Sequence, residues 1–143
     1  MTIQSTQKIL FISTADTDTL SAVESLKNTS VNLPPIEIIN IHTGWETRDN
    51  QEYLFNSLLE SKVVILRLLG GKQAIPESFD HLVDICRERS IPLIACPGHQ
   101  EWDQDLINAC TAAVSEVETV FAYMMHGGTD NLKNMFLFLS DVF

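Results

Sequence analysis

The sequence predicts a doubly wound α/β domain: a mostly parallel sheet of about four or five strands with extra helices at its carboxyl end. Two observations carry this. Four short apolar runs rich in β-branched residues are each followed by a stretch of helical spacing, and the last third of the chain has helical spacing only. Strands that are apolar almost throughout are buried on both faces, and their alternation with helices implies parallel pairing through right-handed crossovers.

Lys8 to Ser13 is the first strand, ending at the cap-rich Thr14-Ala15-Asp16-Thr17-Asp18. Helix one is marked by Leu20, Val23 and Leu26, and Asn28 to Pro35 breaks it. Ile36 to Ile41 is the second strand; the Thr43 to Asn50 loop leads to a helix carrying Tyr53, Leu54, Leu58 and Leu59. Val63 to Leu69 is the third strand and ends at Gly70-Gly71, after which Pro76 opens a helix with Phe79, Leu82, Val83 and Cys86. Ile91 to Cys96 is the fourth, stopped by Pro97-Gly98. Helices are then expected over Leu106 to Ala113, over Val114 to His126 and from Asp130. This order is that of a flavodoxin-like or Rossmann-like domain. Met135 to Leu139 is apolar on every face, so the last helix is expected to pack against a following segment or a partner.

With 143 residues the chain suits one domain, 1–143, and a chain of that size removes roughly two-thirds of its extended surface from water on folding. Nineteen acidic against nine basic side chains give a net charge of −10, which repels phosphate backbones and anionic lipid. Neither nucleic acid nor membrane is an expected partner, and a cytoplasmic location is expected, since no apolar run approaches the ~20 residues of a membrane span. Cys86, Cys96 and Cys110 form no C-x-x-C pair and are expected to be buried thiols.

In doubly wound folds, ligands sit beyond the carboxyl ends of the strands. The first such loop holds Asp16 where a phosphate loop needs glycine, and Asp18 adds a second negative charge, which disfavours FMN; helix capping by Asp16, Thr17 or Asp18 is the plainer reading. A phospho-acceptor domain would need an acid at the end of strand three, where Arg67 stands, and G-x-G-x-x-G follows no strand. A cation inside an apolar strand needs a partner. Arg67 either pairs internally with Asp16 or Asp18, or holds an anionic ligand or a partner's carboxylate. Gly70-Gly71 permit a tight turn, and His99 and Gln100 occupy the fourth strand's loop. The ligand or interface candidates are thus Asp16, Asp18, Arg67, Gly70, Gly71, His99 and Gln100. His42, His81 and His126 are scattered, so neither a metal site nor catalytic residues are expected within the chain.

Ile9 to Asp18 (ILFISTADTD), Val63 to Glu77 (VVILRLLGGKQAIPE), Arg87 to Gln100 (RERSIPLIACPGHQ) and Ala122 to Gly128 with Asn131, Leu132 and Asn134 together resemble the start of the large subunit of aerobic-type cobaltochelatase. This is the CobN family, related to the large magnesium-chelatase subunit. His99 and Lys72 depart from it, where an acid and an arginine are frequent. The resemblance implies the N-terminal fragment of a much longer subunit of a ligase that inserts cobalt, or magnesium, into a tetrapyrrole in cobalamin-type biosynthesis. It also implies AAA+ ATPase partner subunits, with ATP, magnesium and cobalt belonging to the whole complex and no cofactor in this domain. The domain itself would be a scaffold, lid or interface to the remaining domains. The alternative is a free-standing flavodoxin-like module for an anionic or tetrapyrrole ligand, with Arg67, Gly70, Gly71 and His99 lining the crevice.

Overall fold

A computed structural model describes residues 7–27, 33–97 and 103–143. Four strands, β1 (Lys8–Ser13), β2 (Ile36–Asn40), β3 (Ser61–Leu68) and β4 (Leu93–Pro97), form one sheet in the order β2-β1-β3-β4. Every neighbouring pair is parallel. Six α-helices accompany them among the described residues: α1 (Asp16–Leu26), α2 (Arg48–Leu59), α3 (Phe79–Glu88), α4 (Gln104–Ala109), α5 (Val114–His126) and α6 (Thr129–Val142). The doubly wound reading is borne out, with four strands among the described residues. The chain builds outward from β1 to β2 and then returns to the other side of β1 for β3, so the connections diverge between β1 and β3.

The apolar runs are buried on both faces, as their composition requires. Leu10, Ile12, Val64, Leu66, Leu93 and Ala95 meet Leu54 and Leu58 of α2, Leu82 and Cys86 of α3, and Leu106 of α4. The alternate residues Ile9, Phe11, Ile65, Ile94 and Cys96 meet Ala22 of α1, Val120 and Met124 of α5, and Met135, Phe136 and Leu139 of α6. Phe11 and Phe136 pack edge to face, their ring centroids 5.9 Å apart, an arrangement aromatic quadrupoles favour.

Several local expectations are corrected. Helix α1 buries Thr19, Ala22 and Ser25, while Leu20 is 70% exposed and Val23 is also exposed. Small residues let α6 approach α1 closely, so Leu20 and Val23 turn outward, while Leu26 stays half-buried against the core. In α2, Leu54 and Leu58 are buried as read, but Tyr53 and Leu59 are exposed. Pro76 does not open α3. A 3₁₀ turn at Gly71–Ala74 intervenes and the helix begins at Phe79.

The helix expected over Leu106 to Ala113 stops at Ala109 because the next residues close the open edge of the sheet. Thr111 N–H donates to Leu93 O (2.9 Å) and Thr111 Oγ1 accepts from Leu93 N (2.7 Å). Cys110 Sγ accepts from Ala95 N (3.2 Å). Side-chain atoms thus stand in for part of a fifth strand and satisfy an edge that would otherwise invite pairing with another chain. Cys86 and Cys96 are buried and Cys110 is half-buried; burial pushes the Cys86 thiol up to about 12, which keeps it protonated and unreactive.

The terminal helix does not await an external neighbour for its main face. It packs against both α1 and α5, with Leu132, Met135, Phe136 and Leu139 buried. Burial from two flanking helices and the sheet explains why so much of its circumference is apolar.

At the amino end of the sheet, Lys8 Nζ lies 2.6 Å from Glu37 Oε1, and Tyr53 donates a hydroxyl hydrogen bond to the same carboxylate. Desolvation by burial would raise the Glu37 pKa, but hydrogen bonds from Lys8 and Tyr53 and the Lys8 charge outweigh it and hold the group below its ordinary 4.5. A carboxyl whose pKa is depressed by folding contributes stability above its unfolded value and loses it as pH falls through the folded value. The unfolding free energies of the wild type and Glu37→Gln should therefore differ at pH 7 and converge as pH falls below 4.5. Urea titrations across that range test this; a gap that stays constant refutes it.

Candidate functional site

The point where the connections diverge is built from the ends of β1 and β3. Ser13 and Arg67 are direct partners in the parallel ladder, so their side chains project to the same face, toward α1 and α5. Asp18 lies in the first turn of α1, one turn beyond the β1 end. Its Oδ1 accepts from Arg67 Nη1 at 2.8 Å, and its Oδ2 accepts from the Ser13 hydroxyl at 2.9 Å. The same guanidinium nitrogen donates to the carbonyl of Met124 in α5 at 3.3 Å. Both charged side chains are mostly buried, 12% and 13% exposed. Of the two readings of Arg67, the structure displays the internal pair, and the pair is with Asp18.

Neither Asp16 nor Asp18 caps the helix. Ala15 stands at the cap position, its N–H donating to Ser13 Oγ at 3.0 Å. The two acids lie in the first turn, where the helix dipole favours negative charge. Asp16 instead accepts from Asn40 Nδ2 at 2.7 Å, tying α1 to the end of β2. Thr14 joins the two central loops: its N–H donates to Arg67 O at 3.2 Å, and its Oγ1 accepts from Leu69 N at 2.7 Å.

Gly70 and Gly71 both hold positive φ, +83° and +68°, as the turn out of β3 requires. A Cβ on Gly71 would lie 2.7 Å from Asp103 Oδ2. Asp103 caps α4 by accepting from Leu106 N, so this glycine lets the β3 turn sit against the start of that helix. His99 and Gln100 lie outside the described residues.

On the other side of the rim, the loops after β1, β2 and β3 enclose an open cleft of about 690 Å³. Asp16, His42, Trp45, Glu46, Gln73 and Glu77 are among its walls. Arg67, Asp18, Gly70 and Gly71 do not line it. The sequence-read candidates therefore fall into an interior ion pair (Asp18, Arg67), a turn (Gly70, Gly71) and one cleft residue (Asp16). The His42 to Glu46 wall and Glu77 were not singled out from sequence. The one signal that points to them is their position: 42–46 directly follow the apolar run of β2, so they stand at a strand's carboxyl end like the loops that were singled out.

Glu46 has a structural duty within the cleft. Its Oε2 accepts from the Ser78 hydroxyl at 2.6 Å, and its Oε1 faces the Glu77 N–H at 3.5 Å, which anchors the approach to α3. Gln51 of α2 donates in turn to Ser78 Oγ at 3.1 Å. Beside Arg67, burial pushes the Cys96 thiol up to about 12, Cys110 adding to the push and the Arg67 charge opposing it. Among the described residues no group of three or more His, Cys, Asp or Glu side chains is placed to hold a metal ion, and no helix is long and apolar enough to cross a membrane.

No protein-family model matches the sequence, and no curated protein matches it either. Among solved structures, the chain matches the catalytic subunit of cobaltochelatase from Mycobacterium tuberculosis, with a TM-score of 0.71 and 27% identity over 94% of its length. It covers 10% of that subunit. The resemblance read from the four sequence stretches is thereby borne out: fold and sequence both match a segment of a cobaltochelatase catalytic subunit.

The Arg67–Asp18 pair makes its own prediction. Arg67→Met leaves the Asp18 carboxylate in a dry site without its cation, and the expected loss is about 2–3 kcal/mol. Adding Asp18→Leu to that variant should recover part of the loss, because the remaining buried charge goes with it. Chemical denaturation of the two single variants and the double variant closes the cycle; additive losses would contradict the pairing.

Proposed function

We propose that this chain is a non-catalytic segment of an ATP-dependent cobaltochelatase-type large subunit, the enzyme class that inserts cobalt, or magnesium, into a tetrapyrrole in cobalamin-type biosynthesis. The supporting observation is the match to the cobaltochelatase catalytic subunit, which runs through 94% of the chain at 27% identity. The chain spans about a tenth of that subunit, and in this reading the metal insertion itself belongs to other parts of the assembly. ATP hydrolysis falls to AAA+ partner subunits, and cobalt and the tetrapyrrole are substrates of the whole enzyme.

A scaffold or interface role suits the residues better than a catalytic one. The buried polar cluster of Ser13, Asp18 and Arg67 is hydrogen-bonded within the domain and binds β1, α1, β3 and α5 together. A free-standing module for an anionic ligand would need a cation at the rim. Arg67, the cation proposed for that task, is paired with Asp18 and absent from the cleft. The cleft instead presents Asp16, Glu46 and Glu77, which repel the carboxylates of a corrin precursor.

Two measurements test this reading. The isolated chain, titrated with a corrin precursor or a porphyrin, should leave the ligand's absorbance unchanged at micromolar concentrations; saturable binding would favour the free-standing module. Removing the segment from the full-length subunit should lower metal insertion into the ring, and unchanged insertion would overturn the proposed role.

A further inference from the structure

The two edges of the sheet are finished differently. Residues 110–111 close β4, with Thr111 bonded to Leu93 and Cys110 Sγ accepting from Ala95 N. β2 stands at the other edge, and among the described residues no strand pairs with its outer side. Ile9 N donates to Pro35 O and Ile41 N donates to Ser13 O, so the odd-numbered residues of β2 bond to β1. The backbone N–H and C=O groups of Ile36, Ile38 and Asn40 therefore point away from the sheet. Neither Lys nor Pro stands in β2 to keep another strand off. Its one charge, Glu37, is already held by Lys8 and Tyr53.

The helices beside this edge supply a second observation. Asp16 of α1 accepts from Asn40 at the end of β2, which marks the side of the helix turned toward β2. Leu20 and Val23 follow Asp16 by four and seven residues, so they share its stripe. They are 70% and 46% exposed. On the opposite face of the sheet, Tyr53 of α2 reaches Glu37 of β2 and is 54% exposed. Exposed apolar side chains thus flank the open edge on both faces.

We propose that β2 pairs antiparallel with β2 of a second copy of this chain, joining the two sheets into one. Outward backbone donors and acceptors call for a strand as partner, and the flanking helices select a second copy. A two-fold axis through Ile38, perpendicular to the sheet, sets Ile38 against Ile38 of the second copy and Ile36 against Asn40, so their outward N–H and C=O groups meet. The same axis sets α1 beside α1 and α2 beside α2. Leu20 and Val23 are then covered by their own counterparts, whereas a lone added strand would fill the edge and leave them in water. Glu37 falls opposite Ile39 of the second copy, so no like charges meet across the new strand pair. The pairing rests on the sheet edge alone and stands whether or not the chelatase assignment does.

The test uses the 143-residue chain in sedimentation and amide hydrogen-exchange measurements from micromolar to millimolar concentration. A reversible dimer is expected. Each copy carries −10, so long-range repulsion opposes association and added salt should tighten it. The amide hydrogens of Ile36, Ile38 and Asn40 should exchange freely in the monomer and become protected in the dimer, while those of Glu37 and Ile39 are protected in both. The double variant Leu20→Gln with Val23→Gln keeps the charge and the helix propensity and should weaken the dimer about tenfold, with an unchanged circular dichroism spectrum. A chain that stays monomeric at millimolar concentration would overturn the proposal. So would a dimer in which residues 36, 38 and 40 exchange as they do in the monomer, or one that the double variant leaves equally tight. Protection of those three amides already in the monomer would mean that the edge is covered by the chain itself, and would also overturn it.

Discussion

The buried pairing of Arg67 with Asp18 is the constraint on which the upper half of the domain depends. An arginine near the end of a central strand faces a layer of apolar side chains, and desolvating it alone would cost several kcal/mol. The fold meets this by bringing three elements to one point. Asp18 comes from the first turn of α1, Ser13 orients the second carboxylate oxygen, and the Met124 carbonyl arrives from α5. Because these partners come from positions 13, 18 and 124, the pair fixes α1 and α5 over β1 and β3 in one register. Apolar packing alone would tolerate small slides between helix and sheet; a charge that must meet its partner does not.

That pair also explains how the rim is divided. The divergence of the chain between β1 and β3 is where such folds open a crevice. Here the side toward α1 and α5 is filled by the ion pair, while the side toward the β2 loop stays open as the acidic cleft. Asp16 and Asp18 are two residues apart at the start of α1 and therefore point to different sides of the helix. One is used inward with Arg67 and the other outward with Asn40 and the cleft. A single short acidic motif thus serves both the interior and the surface.

How much of this was legible in the sequence follows from which signals are local. The four strands were readable because each is buried on both faces and so is apolar nearly throughout. The need of Arg67 for an acid was readable because a lone cation in such a strand has few solutions. Which face of α1 turns inward was not readable: the contact with α6 selects Thr19, Ala22 and Ser25 for their small size, and hydrophobicity alone chose Leu20 and Val23. The end of α4 was hidden for a similar reason. Residues 110–113 have acceptable helix propensity, and only the unpaired edge of β4 draws them out to meet Leu93 and Ala95. The cleft wall at 42–46 was hidden because a loop's value as a wall depends on what stands opposite, and Gln73 and Glu77 lie some thirty residues on.

The match to a cobaltochelatase catalytic subunit constrains the fold more tightly than the chemistry, and the rim shows why. A doubly wound sheet offers the same crevice to any sequence that folds this way, but what enters is decided by a few side chains at the strand ends. Glycines with free backbone amides there would favour phosphate. Here the position that such a loop gives to glycine holds Asp16, and the β2 and β3 loops add Glu46 and Glu77 without a balancing Lys or Arg in the described wall. In a chain of net charge −10, gathering three of its carboxylates at one crevice raises self-repulsion and lowers stability. Glu46 offsets part of that by holding Ser78. Asp16 offsets part through Asn40, and Glu77 is exposed, so water solvates its charge and the domain folds without a partner for it.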